Sequence, residues 1–301
     1  MNADDLAGYR PMMFSIAYRM TGSVGDAEDI VQEALIRAAG DTSTVEVPRA
    51  YLATITTRLA IDHLRSARVR RESYVGMWLP EPLVTDAAPG PPEHAEMSDS
   101  LSLAFLLLLE SLSPAERAVF LLREVFEYDY AHIAEITGKS EQNCRQLFAR
   151  ARRAIGDGKP RFGSSRTEAE ELTAIFLDVA QGGDVATLIG RLAPVVAFFG
   201  DSGGRGEITL TDPLYGRDRI GQILTAQIQM AVEQGWTVNA ATVNGGPGVL
   251  VRDADGGLTA VISFDILDGL VQAIRVVANP EKLGHLGPLS QTRHVRGSDD
   301  G

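Results

Sequence analysis

The chain has 301 residues, 45% hydrophobic and 23% charged, with a formal net charge of −12. That balance suits a globular protein of two or three domains, and without a run of about eighteen apolar residues no bilayer-spanning segment is expected. A single cysteine, Cys144, excludes an internal disulfide, and the N-terminus MNADDLAGYR carries no signal-peptide pattern, so a cytoplasmic location is expected.

Residues 4–75 read as helices throughout. In the acidic segment GDAEDIVQEALIRAAG, the apolar residues Ile30, Val31, Ala34, Leu35 and Ala38 recur at helical spacing. Asp26 is expected to cap this helix, with Glu28 and Asp29 in the first turn, where the helix dipole favours negative charge. Pro48 opens the next helix, which begins apolar and ends in Arg65, Arg68, Arg70 and Arg71. Arg58, Arg65, Arg68 and Arg71 fall on one face, and Asp62 stands three residues before Arg65 as a tether. An acidic face suits a basic protein partner, whereas a basic strip suits phosphates and exposed bases. The net negative charge does not oppose nucleic-acid binding. The excess acid lies mainly in residues 76–109 and 166–301, and a phosphate backbone responds to the local field.

Residues 76–99, with WLPEP and then DAAPGPPEHAEMSDS, break the helical pattern and read as a linker. A second helical block follows to about residue 156. Ser113, Pro114 and Glu116 predict a capped helix start with a capping box. A short helix over 130–137, a left-handed turn at Gly138 and a helix capped by Ser140 make a helix-turn-helix with Ile133, Ile136, Cys144 and Leu147 inside. Glu141, Gln142, Asn143, Arg145, Gln146 and Arg150 then face outward, able to meet base edges and phosphates. Arg152 and Arg153 suit phosphates.

From residue 167 the texture changes. Helices over 168–181 and 184–192 precede a strand LAPVVAFFG, the loop DSGGRG, a strand EITLTD and a helix over 216–234. Four strands, WTVNAATVN, PGVLVRD, LTAVISFDI and LVQAIRVVA, are separated by Asn-Gly and Asp-Gly turns, which predicts an antiparallel meander in an α+β domain. The polar tail from residue 284 reads as loose.

Residues 5–75 resemble region 2, and residues 110–156 region 4, of an extracytoplasmic-function sigma factor of the sigma-70 family. DAEDIVQEALIRAA is similar to that family's polymerase-binding helix, AYLATITTRLAIDHLR to its −10 helix, and the helix-turn-helix ending FARARRAI to its −35 reader. The C-terminal part resembles the SnoaL-like cone fold fused to one subgroup. That subgroup's WLPEP appears as Trp78-Leu79-Pro80-Glu81-Pro82, its DGGG-type loop as Asp201-Ser202-Gly203-Gly204-Arg205, and its NPxKL as Asn279-Pro280-Glu281-Lys282-Leu283. Ser202 stands where the subgroup has glycine.

The resemblance implies two all-α domains, 1–75 and 110–160, joined by a linker over 76–109, then a SnoaL-like α+β domain over 166–284 and a tail over 285–301. It implies core RNA polymerase contacts at Asp29, Ile30, Val31, Gln32 and Glu33. Contacts with the −10 region would come from Arg58, Asp62, Arg65, Arg68, Arg70 and Arg71, with a flipped base near residues 42–47. Contacts with −35 duplex DNA would come from Gln142, Asn143, Arg145, Gln146, Arg150, Arg152 and Arg153. A regulatory set would comprise Trp78, Pro80, Glu81, Asp201, Gly203, Gly204, Arg205, Asn279, Pro280 and Lys282, joining the C-terminal domain to the linker or the sigma domains.

Phe198, Phe199, Tyr215, Trp236 and Phe264 are expected as core more than as a ligand pocket. Asp201, Asp265 and Arg205 are the acid–base candidates of a SnoaL-like enzyme. With no metal-spaced cluster and no histidine in that fold before His285, neither catalysis nor a cofactor or metal is expected. The rival readings are a ligand-responsive helix-turn-helix regulator and a SnoaL-like enzyme tethered to a DNA-binding module.

Overall fold

The computed structural model describes residues 6, 8–40, 47–72, 74–85, 101–156, 166–205 and 210–290; of residues 40, 67–72, 85 and 166 only the backbone is described. The chain divides into two units, Met1–Ser73 with Phe105–Lys159, and Tyr74–Ala104 with Pro160–Gly301.

In the first unit, helices α1 (Arg10–Thr21), α2 (Val24–Gly40) and α3 (Pro48–Glu72) form one bundle. Helix α1 ends at Gly22, whose φ of 68° lets its N–H close on the Tyr18 carbonyl. The Ser23 hydroxyl, not Asp26, caps α2 by accepting from the Asp26 N–H at 3.1 Å. Asp26 lies inside the first turn, where its carboxylate instead meets Nε2 of His63 on α3 at 3.0 Å.

The second helical group comprises α4 (Leu103–Glu110), α5 (Pro114–Glu124), α6 (Tyr130–Thr137) and α7 (Glu141–Ile155). The predicted capping box at Ser113 and Glu116 forms, with Pro114 in the first turn. Asp129 caps α6, Gly138 ends it with φ of 66°, and Ser140 caps α7. Ile133, Ile136, Cys144 and Leu147 pack with Val119 and Leu122, so Cys144 is a small core residue, as expected.

The second unit is a seven-stranded sheet in the order β1-β4-β5-β6-β7-β2-β3. Strands β4 (Thr237–Val243), β5 (Gly246–Arg252), β6 (Leu258–Leu267) and β7 (Leu270–Val277) form the predicted meander. Two-residue turns join β4 to β5 and β6 to β7. Asn244-Gly245 and Asp268-Gly269 take positive φ at both positions, which matches the twist of the paired strands. Strand β2 (Leu192–Asp201) runs parallel to β7, and β3 (Leu214–Tyr215) pairs with its other edge.

Helices α8 (Arg166–Ala180), α9 (Val185–Gly190) and α10 (Arg217–Glu233) supply Leu172, Phe176, Val179, Leu188, Ile220 and Leu224 to a core shared with Val249, Phe264 and Ile274 of the sheet.

Three expectations change. Of the predicted strand EITLTD, residues 207–209 lie outside the described residues and Leu210–Asp212 is irregular; a described strand follows at Leu214–Tyr215. Residues 74–85 of the linker belong to the second unit, where Val84–Thr85 is edge strand β1 against β4. The tail is held at its start: after α11 (Pro280–Leu283), His285 Nε2 lies 2.9 Å from the Pro82 carbonyl, and the Ser290 hydroxyl bonds Asp253. Residues 86–100, 157–165 and 291–301 lie outside the described residues.

Candidate functional site

Helix α2 turns Ile30 and Val31 into the bundle, with 5% and 0% of their surface exposed. Both side chains, which the resemblance implied as partner contacts, thus belong to the buried face of α2. Asp29 and Gln32 are exposed, Glu33 is half-buried, and Glu33 pairs with Arg37 at 2.8 Å. The apolar side chain on the open face is Ile36, 61% exposed. Its seven-residue step from Asp29 was the signal available in the sequence.

On α3, Arg58, Asp62 and Arg65 are exposed, and Arg65 donates to Asp62 at 3.1 Å. Arg58 donates to the carbonyls of Glu135 and Ile136, both at 2.9 Å. These are last-turn carbonyls of α6, unsatisfied within the helix and at the negative end of its dipole, so a guanidinium is well placed there. The strip residue Arg58 is therefore occupied in this arrangement. The side chains of Arg68, Arg70 and Arg71, and the loop over 41–46, lie outside the described residues. A buried cation joins the same two helical groups. Arg117, 3% exposed, donates to the Met20 carbonyl at 2.6 Å, to the Leu109 carbonyl at 2.6 and 3.0 Å, and to Glu110 at 2.8 Å. Arg19 is also buried, which lowers its pKa to about 10.

On α7, Gln142, Asn143, Arg145, Gln146, Arg150, Arg152 and Arg153 are all exposed, while Cys144, Leu147, Ala151 and Ile155 face inward. Arg150 binds Glu116 at 2.9 Å and braces α7 on the N-terminus of α5. The Ser113 hydroxyl, with Arg150 adding to it, holds the Glu116 carboxyl below the usual range. Arg152 leans on Phe148, and Arg153 bonds the Ala149 carbonyl of its own helix at 3.2 Å.

In the second unit the three motifs meet around Asp201, which is 1% exposed. Its Oδ1 accepts from the Tyr74 hydroxyl at 2.5 Å and the Gly203 N–H at 3.1 Å. Its Oδ2 accepts from the Leu79 N–H at 2.8 Å and from Lys282 Nζ at 2.6 Å. Lys282 also donates to the Leu79 carbonyl at 2.5 Å and lies 4.4 Å from the Trp78 ring centre and 4.8 Å from that of Tyr74.

Asn279 donates to the Tyr74 oxygen at 2.8 Å and caps α11 through the Glu281 N–H at 3.0 Å, with Pro280 in the first turn. A carboxylate and an ammonium removed from water are stable only with such complete hydrogen bonding. The glycines permit the approach. Gly203 and Gly204 take φ of 61° and 73°, and a Cβ would lie 2.6 Å from Asn279 and 2.8 Å from Val75 respectively. Ser202 is not among the positive-φ residues, so its replacement of glycine leaves the turn intact. Arg205 pairs with Glu281 at the rim, Pro80 is buried and Glu81 half-buried. Tyr74 was missed in the sequence, where nothing separates it from other tyrosines.

The acid–base candidates are each engaged apart. Asp201 is held as above, and Asp265 lies 2.6 Å from Arg275, with burial pushing its carboxyl up against that opposing charge. Phe264 packs on Phe176 with ring centres 5.2 Å apart, Phe198 and Trp236 border the same core, and Tyr215 is exposed. Among the described residues no group of His, Cys, Asp or Glu is arranged to hold a metal, and no helix is long and apolar enough to cross a membrane.

Residues 6–70 match the family model described as Sigma-70 region 2, and residues 102–155 that of Sigma-70, region 4. The ECF RNA polymerase sigma factor SigJ of Mycobacterium tuberculosis is 35% identical over 97% of this chain and 96% of its own length. The probable ECF sigma factor SigI of the same species is 32% identical over 92% and 93%. The crystal structure of M. tuberculosis SigJ superposes with a TM-score of 0.75 at 31% identity, covering 96% of this chain and all of the other. With region 2 and region 4 in order, the fused α+β domain behind them and full-length relatives that share this layout, the chain belongs to the extracytoplasmic-function sigma factors of the sigma-70 family, and it serves promoter-directed initiation of transcription.

Proposed function

We propose that this sigma factor divides its work by helix and is regulated in cis by its C-terminal domain. Helix α2 docks on core RNA polymerase through Asp29, Gln32, Glu33 and Ile36. Helix α3 and its arginines take the −10 region, and α7 takes −35 duplex DNA, with Gln142 and Gln146 at base edges. Arg58 serves the −10 strand only after leaving the α6 carbonyls. The C-terminal domain acts as a non-catalytic brace on the segment that follows α3, and the protein works in the cytoplasm.

The observation that carries the regulatory part is the Asp201–Lys282 pair. It grips Tyr74, Trp78 and Leu79, which begin two residues after the last residue of α3. The pair therefore fixes, within the second unit, the segment that follows α3 in the chain.

The test is run-off transcription with purified core polymerase. Asp201→Ala leaves the Lys282 ammonium buried without its partner, which costs about 3–5 kcal/mol. It is expected to change transcript yield in the same direction as removal of all residues after 165, while binding of core polymerase persists. Unchanged yield from both variants would contradict regulation in cis.

A further inference from the structure

Helices α5, α6 and α7 bring two arginines onto one aromatic ring. Tyr130, the first residue of α6, has the Arg123 guanidinium carbon 5.2 Å from its ring centre and that of Arg145 4.5 Å from it. Phe148 meets the same ring edge-on at 6.2 Å and fixes its plane. Arg123 is further set by a 3.0 Å bond to the Tyr128 carbonyl, and Arg145 by a 2.8 Å pair with Glu141. Both arginines are exposed and Tyr130 is half-buried.

Ring faces attract guanidinium groups, but two like charges drawn to one ring also repel each other. A phosphate whose oxygens reach both planar forks offsets that repulsion and accepts from each. The carboxylate paired with Arg145, Glu141, is itself exposed. Exposed pairs of this kind contribute little, so a phosphate can displace it.

We propose that Arg123 and Arg145 form a clamp for a backbone phosphate of the −35 duplex, with Tyr130 as the platform that orients them. This rests on the assignment of α7 to −35 DNA. It adds Arg123, on α5 and outside the helix-turn-helix, to the DNA-contacting residues, and it gives Arg145 the role of backbone positioning. Tyr130 is a positioning residue that acts through the two arginines.

The experiment measures the salt dependence of holoenzyme binding to promoter fragments that the wild-type holoenzyme selects from a library randomised at −35. Arg123→Ala and Arg145→Ala should each lower affinity several-fold on every selected sequence alike, and reduce the slope of log affinity against log salt by about 1. Tyr130→Phe keeps the ring face and should behave as wild type, whereas Tyr130→Leu should reproduce the arginine variants. Wild-type affinity and slope in Arg123→Ala would overturn the clamp. So would a loss in Arg145→Ala confined to one base position, or equal behaviour of the Phe and Leu variants. A wild-type holoenzyme indifferent to −35 sequence would instead overturn the assignment of α7 and the clamp with it.

Discussion

Tyr74 shows how a single side chain reports on the contact around Asp201. Its hydroxyl is caught between Asp201 and Asn279 in a setting that disfavours a second anion. Burial first, and then the Asp201 carboxylate, raise its pKa well above the ordinary value. A pKa raised in the folded state favours the neutral phenol. Its contribution to stability is thus complete below about pH 10 and is lost as pH rises through the raised value. Near pH 10, the tyrosinate absorbance of wild type minus that of Tyr74→Phe should be close to zero in the folded chain. Ordinary half-ionisation at that pH would mean the phenol does not meet the carboxylate. Asp201 and Lys282 were legible as motif residues. Tyr74 was not, because its role depends on partners more than a hundred positions away in sequence.

Among the elements, those with local signals were legible and those held by distant partners were not. The start of α5 needed only Ser113, Pro114 and Glu116, and the turn before α7 only Gly138 and Ser140. The hairpin turns likewise follow from Asn-Gly and Asp-Gly, since those residues accept positive φ. Strand β1 has no such signal. Leu83, just before it, exchanges bonds of 2.7 and 2.9 Å with Asn244 in the β4–β5 turn, and Val84–Thr85 then pairs with Val243 and Thr242 as an edge. On α2 the helical period was legible, whereas Ile30 and Val31, implied as contacts by the resemblance, are buried and Ile36 is exposed. The capping box also gives a measurable expectation. Ser113→Ala should destabilise the helical unit by about 1 kcal/mol in urea unfolding. Because the Glu116 carboxyl is held below its usual range, its contribution is present above that range and is lost as pH falls through the lowered value. The difference between wild type and Ser113→Ala should therefore shrink in acid. A difference independent of pH would show that the box does not operate.

At the scale of the whole molecule, the order of domains was legible because each carries its own motif. The allocation of the segment between them was not. Residues 74–85 look like linker by composition, yet they are built into the sheet unit, since WLPEP supplies the backbone groups that Asp201 and Lys282 require. The helical unit has its own form of restraint: Arg58 and Arg117 tie region 2 to region 4 through backbone carbonyls. Recognition of both promoter elements is measured by purified core polymerase on fragments carrying randomised −10 and −35 elements, with and without the full chain. Sequence-selective transcripts are expected only when the chain is present, with selection at both elements. Transcription unaffected by the chain, or selection at neither element, would contradict it.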